Sequence, residues 1–203
     1  MTDQAHVTSP TARPVGVEGP PRPPIVPVRG LPIVAVIVVV LIVTIAADWR
    51  WGLDFFHVAG GGLWTAIDLF VGLVVGPILG RLSIPARAEF SARFMPKMVL
   101  IMPTLVLMTL AAGFQLALKL HDLDPSSPNH AWLMASFIVV GIMAVIALGI
   151  LEPANIAVLF EMRKPQPDGE VIAKLMRRFI YTAGITGVMQ IATLIIMTRV
   201  ATQ

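Results

Sequence analysis

The stretch HVAGGGLWTAIDLFVGLVVGPILG, residues 57–80, decides the fold. Its only ionisable side chains are His57 and Asp68, and a helix over 58–80, rising 1.5 Å per residue, crosses the ~30 Å of a bilayer's hydrocarbon. Four more apolar runs of similar length flank it, at 31–47, 98–118, 132–151 and 179–198. The expected fold is all-α: a polytopic membrane helix bundle of five transmembrane helices, a four-helix core plus one N-terminal span. The first run ends in Thr44-Ile45-Ala46-Ala47, which also reads as a signal-peptide core with a small-residue cleavage site. Its length, its 30-residue lead and the interfacial Trp49 and Trp51 favour a retained span.

Composition points the same way. Of 203 residues, 56% are apolar and 13% charged, about half the roughly 25% charge of soluble domains, and the mean hydropathy is +0.82. The net charge of +3 comes from few charges, and no basic run interleaved with aromatics suggests nucleic acid. The absence of cysteine excludes disulfides and thiolate metal sites. Phosphate-binding glycine loops, Ser-His-Asp arrangements and H-E-x-x-H patterns are absent, so hydrolase and NTPase readings have no residues to rest on. Residues 1–30 carry seven prolines (Pro10, Pro14, Pro20, Pro21, Pro23, Pro24 and Pro27) and are expected to form an extended or disordered tail.

Basic residues alternate between loops. Twelve fall in the tail, the second loop and the fourth loop, and three in the first loop, the third loop and the C-terminal end. The positive-inside rule then places the N-terminus in the cytoplasm and the C-terminus outside, in a bacterial inner membrane. Helix four is expected to run past the bilayer, or to break into an interfacial segment, near Glu152-Pro153.

That topology puts His57, His121 and His130 on the outer face with Asp122 and Asp124, nitrogen and oxygen ligands suited to a metal. The competing reading is that polar loop residues beside a membrane are merely solvated. On a helix, positions 57, 61, 64 and 68 share a stripe, so His57, Gly61, Trp64 and Asp68 face one neighbour. Gly60, Gly61 and Gly62 clear the space below His57, as a flat macrocycle or a close helix requires, and Trp64 forms an aromatic wall. Gly72, Gly76 and Gly80 repeat every four residues, a pattern that packs membrane helices backbone to backbone, within the bundle or against a partner or second copy. Asp68 lies ~16 Å below His57, near the midplane, level with Gln190, Thr109, Met108 and Met143. It is either interhelical glue held by Gln190 or Thr109, or a member of a proton relay or ion path. Met95, Met98 and Met102 share a face of span three, read as adaptable packing ahead of a copper path. Pro103 in the same span is expected to kink it.

From His57 onward, over roughly residues 55–200, the chain resembles the CopD and HemJ-like superfamily of small bacterial membrane proteins. The pattern is His-x-x-Gly-x-x-x-Trp, here His57, Gly60 and Trp64. A basic segment, Arg93 to Lys97, leads into a Pro103-containing helix ending near Gly113, Trp132-Leu133 opens the next helix, and Arg177-Arg178-Phe179 the last. The resemblance implies that His57 ligates haem b, as the opening histidine does in HemJ-like proteins, which oxidise protoporphyrinogen IX. The CopD side implies copper passage instead. The family's further histidine and lysine correspond to Met134 and Ser136, so the resemblance does not extend to the oxidase residues. The expected function is binding of haem b or copper through His57, with Gly60, Gly61 and Trp64, in electron transfer or in haem or copper handling. The alternatives are an accessory subunit of a respiratory-type membrane complex and a small transporter using Asp68.

Overall fold

The computed structural model describes residues 23–202. The expected disordered tail lies outside the described residues as far as residue 22. The remainder of that stretch is placed: Ile25 packs against the apolar core, and Val28–Gly30 forms a 3-10 turn leading into the first helix.

Five long helices follow: α1 (Leu31–Ala46), α2 (Arg50–Arg81), α3 (Ile84–Lys119), α4 (His130–Met162) and α5 (Gly169–Ala201). No strand occurs among the described residues. All five are long and apolar enough to cross a membrane, α1 together with its leading turn. The chain is an all-α membrane bundle.

Four of the five spans prove to be parts of longer helices, each extended mainly at one end. The basic stretch after the second span is helical almost throughout. Its turn is Leu82-Ser83, with Ser83 extended as the N-cap and Pro85 in the first turn of α3, where a missing N–H is harmless. Arg93 then pairs with Glu89 at 2.8 Å, one turn apart. α5 likewise starts well ahead of its apolar run. Asp168 caps it, accepting from the N–H groups of Glu170 at 2.8 Å and Val171 at 3.3 Å, which satisfies donors the helix itself leaves open. Charged residues in these extensions stand beyond the apolar spans without ending the helices.

α2 begins at Arg50, eight residues before its expected span, so His57 sits two turns inside a helix. α3 runs to Lys119, so Gly113 is an interior position and no helix end. α4 passes Glu152-Pro153 without interruption, through a wide π-type turn at Ala147–Leu151, and α2 has a similar turn at Val71–Val75. Pro153 follows at the start of the regular segment Glu152–Met162.

α2, α3, α4 and α5 form the core, and α1 lies against α2 and α3. Only Leu41 and Thr44 of α1 are buried, while Ile33, Val36, Val39 and Ile42 are exposed, as suits a helix whose surroundings are acyl chains. One end of the bundle carries the α1–α2 and α3–α4 loops and is called the histidine end here. The other, with the α2–α3 and α4–α5 loops, is the basic end. Near the basic end, α4 packs against both α3 and α5. Near the histidine end, residues 130–146 of α4 pack chiefly on α5. The helices therefore splay at the histidine end. Trp49, Trp51 and Phe55 stack along the surface there, with ring centroids 5.2 and 5.6 Å apart, where aromatic belts meet the membrane interface.

Candidate functional site

The splay leaves a cavity of about 400 Å³ among α2, α3, α4 and α5, within the ~300–1,000 Å³ usual for small-molecule and cofactor sites. His57, Gly61 and Trp64 line it from α2, with Thr109 and Gly113 on α3, Ser136 on α4 and Gln190 on α5. Val58, Phe114 and Leu194 also line it and are exposed on the bundle surface, so the cavity opens sideways to the acyl chains.

His57 Nδ1 lies 2.9 Å from the backbone carbonyl of Thr109. A carbonyl only accepts, so Nδ1 carries the proton and Nε2 presents a lone pair. Gly113 makes this contact: a methyl group at that position would fall on the imidazole Nδ1 and 2.6 Å from its Cε1. Gly60 serves the same interface, because a methyl there would collide with Thr109 Oγ1 and approach Met108 Cγ to 2.9 Å. Gly62 meets nothing within 4 Å and lines the cavity, so it leaves free space.

The hydroxyls around the cavity are turned back onto their own helices. Thr65 donates to Gly61 O at 2.8 Å, Thr109 to Leu105 O at 2.7 Å and Thr198 to Leu194 O at 2.8 Å. The imidazole is left as the nitrogen donor in this apolar wall, alongside the Ser136 hydroxyl and the side-chain oxygen of Gln190, which has no hydrogen-bond partner.

Trp64 joins the cavity to a second polar cluster. Its Nε1 donates to Asp68 Oδ2 at 3.0 Å, and the same oxygen accepts from Thr186 Oγ1 at 3.0 Å and Gln190 Nε2 at 2.9 Å. Asp68 is 2% exposed. The expected Gln190 partner is therefore present and the expected Thr109 partner is not, since Thr109 faces His57. Thr186 enters instead, one turn from Gln190 on α5. Gly187 lets α5 in, with a methyl there 3.0 Å from the Leu69 amide nitrogen.

The four-residue glycine repeat is used inside the chain. A methyl at Gly72 would fall on Gly184 Cα, and one at Gly76 would lie 2.5 Å from Ile180 Cγ2, both on α5, while Gly80 meets nothing within 4 Å. Gly72 and Gly76 thus seat α5.

The expected metal set of His57, His121, His130, Asp122 and Asp124 is not assembled. Among the described residues no group of three or more His, Asp or Glu side chains comes together as a metal site. The acids hold the α3–α4 loop. Asp122 accepts from Ser127 Oγ at 2.8 Å and Asn129 Nδ2 at 3.2 Å. Asp124 accepts from the backbone N–H and hydroxyl of Ser126 at 2.8 and 2.7 Å, bonds that hold its carboxyl below the usual carboxylate range. His121 adopts a left-handed backbone, φ 58°, at the turn. Met95, Met98 and Met102 are all buried in the apolar core, as packing residues.

No protein-family model, curated protein or solved structure matches this chain.

Proposed function

We propose that this membrane protein binds haem b in the histidine-end cavity, where His57 would hold its iron, in an electron-transfer or haem-handling role. The observation that carries the reading is the His57–Thr109 contact. A ligating histidine typically donates its other ring N–H to a carbonyl or carboxylate, which fixes tautomer and orientation, and His57 does so from the wall of an apolar cavity. Haem suits this wall better than a bare copper ion. The porphyrin supplies four of the iron's ligands, so one or two protein ligands suffice, whereas copper would draw on a gathered donor set.

When bound, the haem would supply one-electron chemistry at its iron. The chain's own part is to present Nε2, to offer a wall without side-chain bulk at Gly61 and Gly62, and to exclude water with the apolar faces of α4 and α5. The resemblance of His57, Gly60 and Trp64 to the CopD and HemJ-like pattern supports the same reading, and Ser136, at the family's lysine position, lines the cavity. The distribution of basic residues supports a bacterial inner membrane with the N-terminus cytoplasmic, which brings His57 near the outer face. A transporter role for Asp68 has less support, because Oδ2 already takes three donors.

The test is an optical spectrum, oxidised and dithionite-reduced, of protein purified in detergent from haem-replete cells, beside His57→Ala. A Soret band with reduced alpha and beta bands, lost in the variant, is expected. A colourless wild type overturns the haem reading.

A further inference from the structure

A second cavity, of about 400 Å³, lies at the basic end, between the last turns of α2 and the first turns of α5. Its floor is the glycine seam: Gly72, Gly76 and Gly80 line it, with Ile180 and Met176 from α5. Gly80 carries open space above it, so the groove continues along the helix pair toward the basic end. Two guanidinium groups, those of Arg87 and Arg177, stand in its lining beside Tyr181.

The two arginines are held differently. Arg87 Nε donates to Leu82 O and Nη2 to Gly80 O, both at 2.9 Å. It closes the C-terminus of α2, where a cation favourably meets unpaired carbonyls, and three of its five N–H groups remain to offer. Arg177 is exposed and makes no hydrogen bond or ion pair among the described residues. Of the acids near in sequence, Glu89 pairs with Arg93, Glu161 with Lys164 and Asp168 caps α5, while Glu170, in the first turn of α5, does not line the groove. A groove with an apolar, glycine-floored channel and two cations at its mouth thus lies level with the end of the apolar spans, without a carboxylate among its lining residues.

We infer that this groove binds an anionic phospholipid, the phosphodiester against Arg87 and Arg177 and one acyl chain along Gly80, Gly76 and Ile180. Guanidinium matches phosphate in charge and in paired N–H geometry, and basic pockets between transmembrane helices recognise anionic head groups. The apolar floor distinguishes a lipid from a free phosphate, for which only the arginines would matter. Tyr181, 68% exposed, is placed at the mouth as an amphipathic side chain suited to the head-group level.

The experiment is native mass spectrometry of the full chain released from detergent, titrated separately with phosphatidylglycerol and phosphatidylcholine of the same acyl chains. Wild type is expected to retain one phosphatidylglycerol per chain in preference to phosphatidylcholine. Arg177→Gln is expected to weaken that retention about fivefold, the weight of one basic residue at an anionic surface. Arg163→Gln, which removes the same charge outside the groove, is expected to leave it unchanged. Arg177 has no hydrogen-bond or ion-pair partner among the described residues, so its variant separates lipid binding from the capping role of Arg87. Gly80→Leu fills the channel while keeping both cations, and is expected to lower retention as well. Equal retention of the two lipids, an unchanged Arg177→Gln, or equal losses in Arg177→Gln and Arg163→Gln overturns the proposal. Displacement of the lipid by millimolar inorganic phosphate, with Gly80→Leu behaving as wild type, overturns it in favour of a phosphate site.

Discussion

The two halves of the α2 interface use glycine for opposite ends. Toward the basic end, Gly72 meets Gly184 and the two backbones touch, closing α2 onto α5 at that point before the groove at Gly80 opens. Toward the histidine end, Gly113 admits an imidazole and Gly62 admits nothing, and space is kept. Between them Asp68 ties α2 to α5 through one carboxylate oxygen. A missing Cβ is thus either a contact or a vacancy, depending on whether the opposing helix arrives. The splay of α4 decides which, because near the histidine end it leans on α5 and leaves α2 and α3 to form the other wall.

The closed half should be the more sensitive to added volume. Gly72→Leu places a side chain where Gly184 Cα stands and should destabilise the bundle by about 3 kcal/mol or prevent its assembly, the upper range for overpacking. Thermal unfolding in detergent measures it, and a fold that tolerates leucine there would refute the closed seam. Asp68→Leu comes next. It strands the buried donors of Trp64 and Gln190, whereas Thr186 keeps its bonds to Thr182 O and Ala183 O. A loss of about 2 kcal/mol follows from two unsatisfied groups, reduced because membrane hydrogen bonds are weaker than their desolvation suggests, and Asp68→Asn should recover most of it.

Gly113→Ala tests the open half. The alanine gains up to about 1 kcal/mol of helix propensity and loses a similar amount with the His57–Thr109 bond. Stability should therefore stay nearly constant while the spectrum of the proposed haem is lost, and Gly141→Ala, at a glycine with open space outside the cavity lining, should preserve both. Equal spectra for the two variants would show that the imidazole does not depend on its seat.

The smallest effect lies outside the membrane, in the α3–α4 loop. The folded Asp124 carboxyl is held below its ordinary range by Ser126. Such a group stabilises above its unfolded pKa and loses that contribution as pH falls through the folded value. The protection factor of the Ser126 amide, its exchange corrected for the intrinsic pH dependence, should fall on acidification below the ordinary carboxylate range, and Asp124→Asn should remove most of that dependence.

Much of the fold is legible from hydropathy alone, since each apolar run corresponds to one helix. The ends were not, because Arg87, Arg93, Lys174 and Arg177 read as loop charges while capped helices carry them beyond the apolar spans. Within the site, the 3.6-residue period aligns His57, Gly61, Trp64 and Asp68, and depth alone pairs Asp68 with Gln190. Gly113 was hidden because its role depends on a residue 56 positions away on another helix. Thr186 was hidden because a helical threonine ordinarily bonds back into its own turn, which this one also does. Asp122 and Asp124 misled for a related reason: the acids that ligate metals also close turns on neighbouring backbone.

The wide turn at Val71–Val75 sets the phase of α2. A segment bonded i→i+5 takes up one more residue than a regular turn, so all that follows is rotated by about 100° from where an unbroken helix would carry it. The Asp68 cluster ahead of this turn and the Gly76 contact beyond it can then both meet α5. Deleting one residue from this turn would behave like slipping a gear by one tooth, leaving both sequences intact and only one of them in mesh.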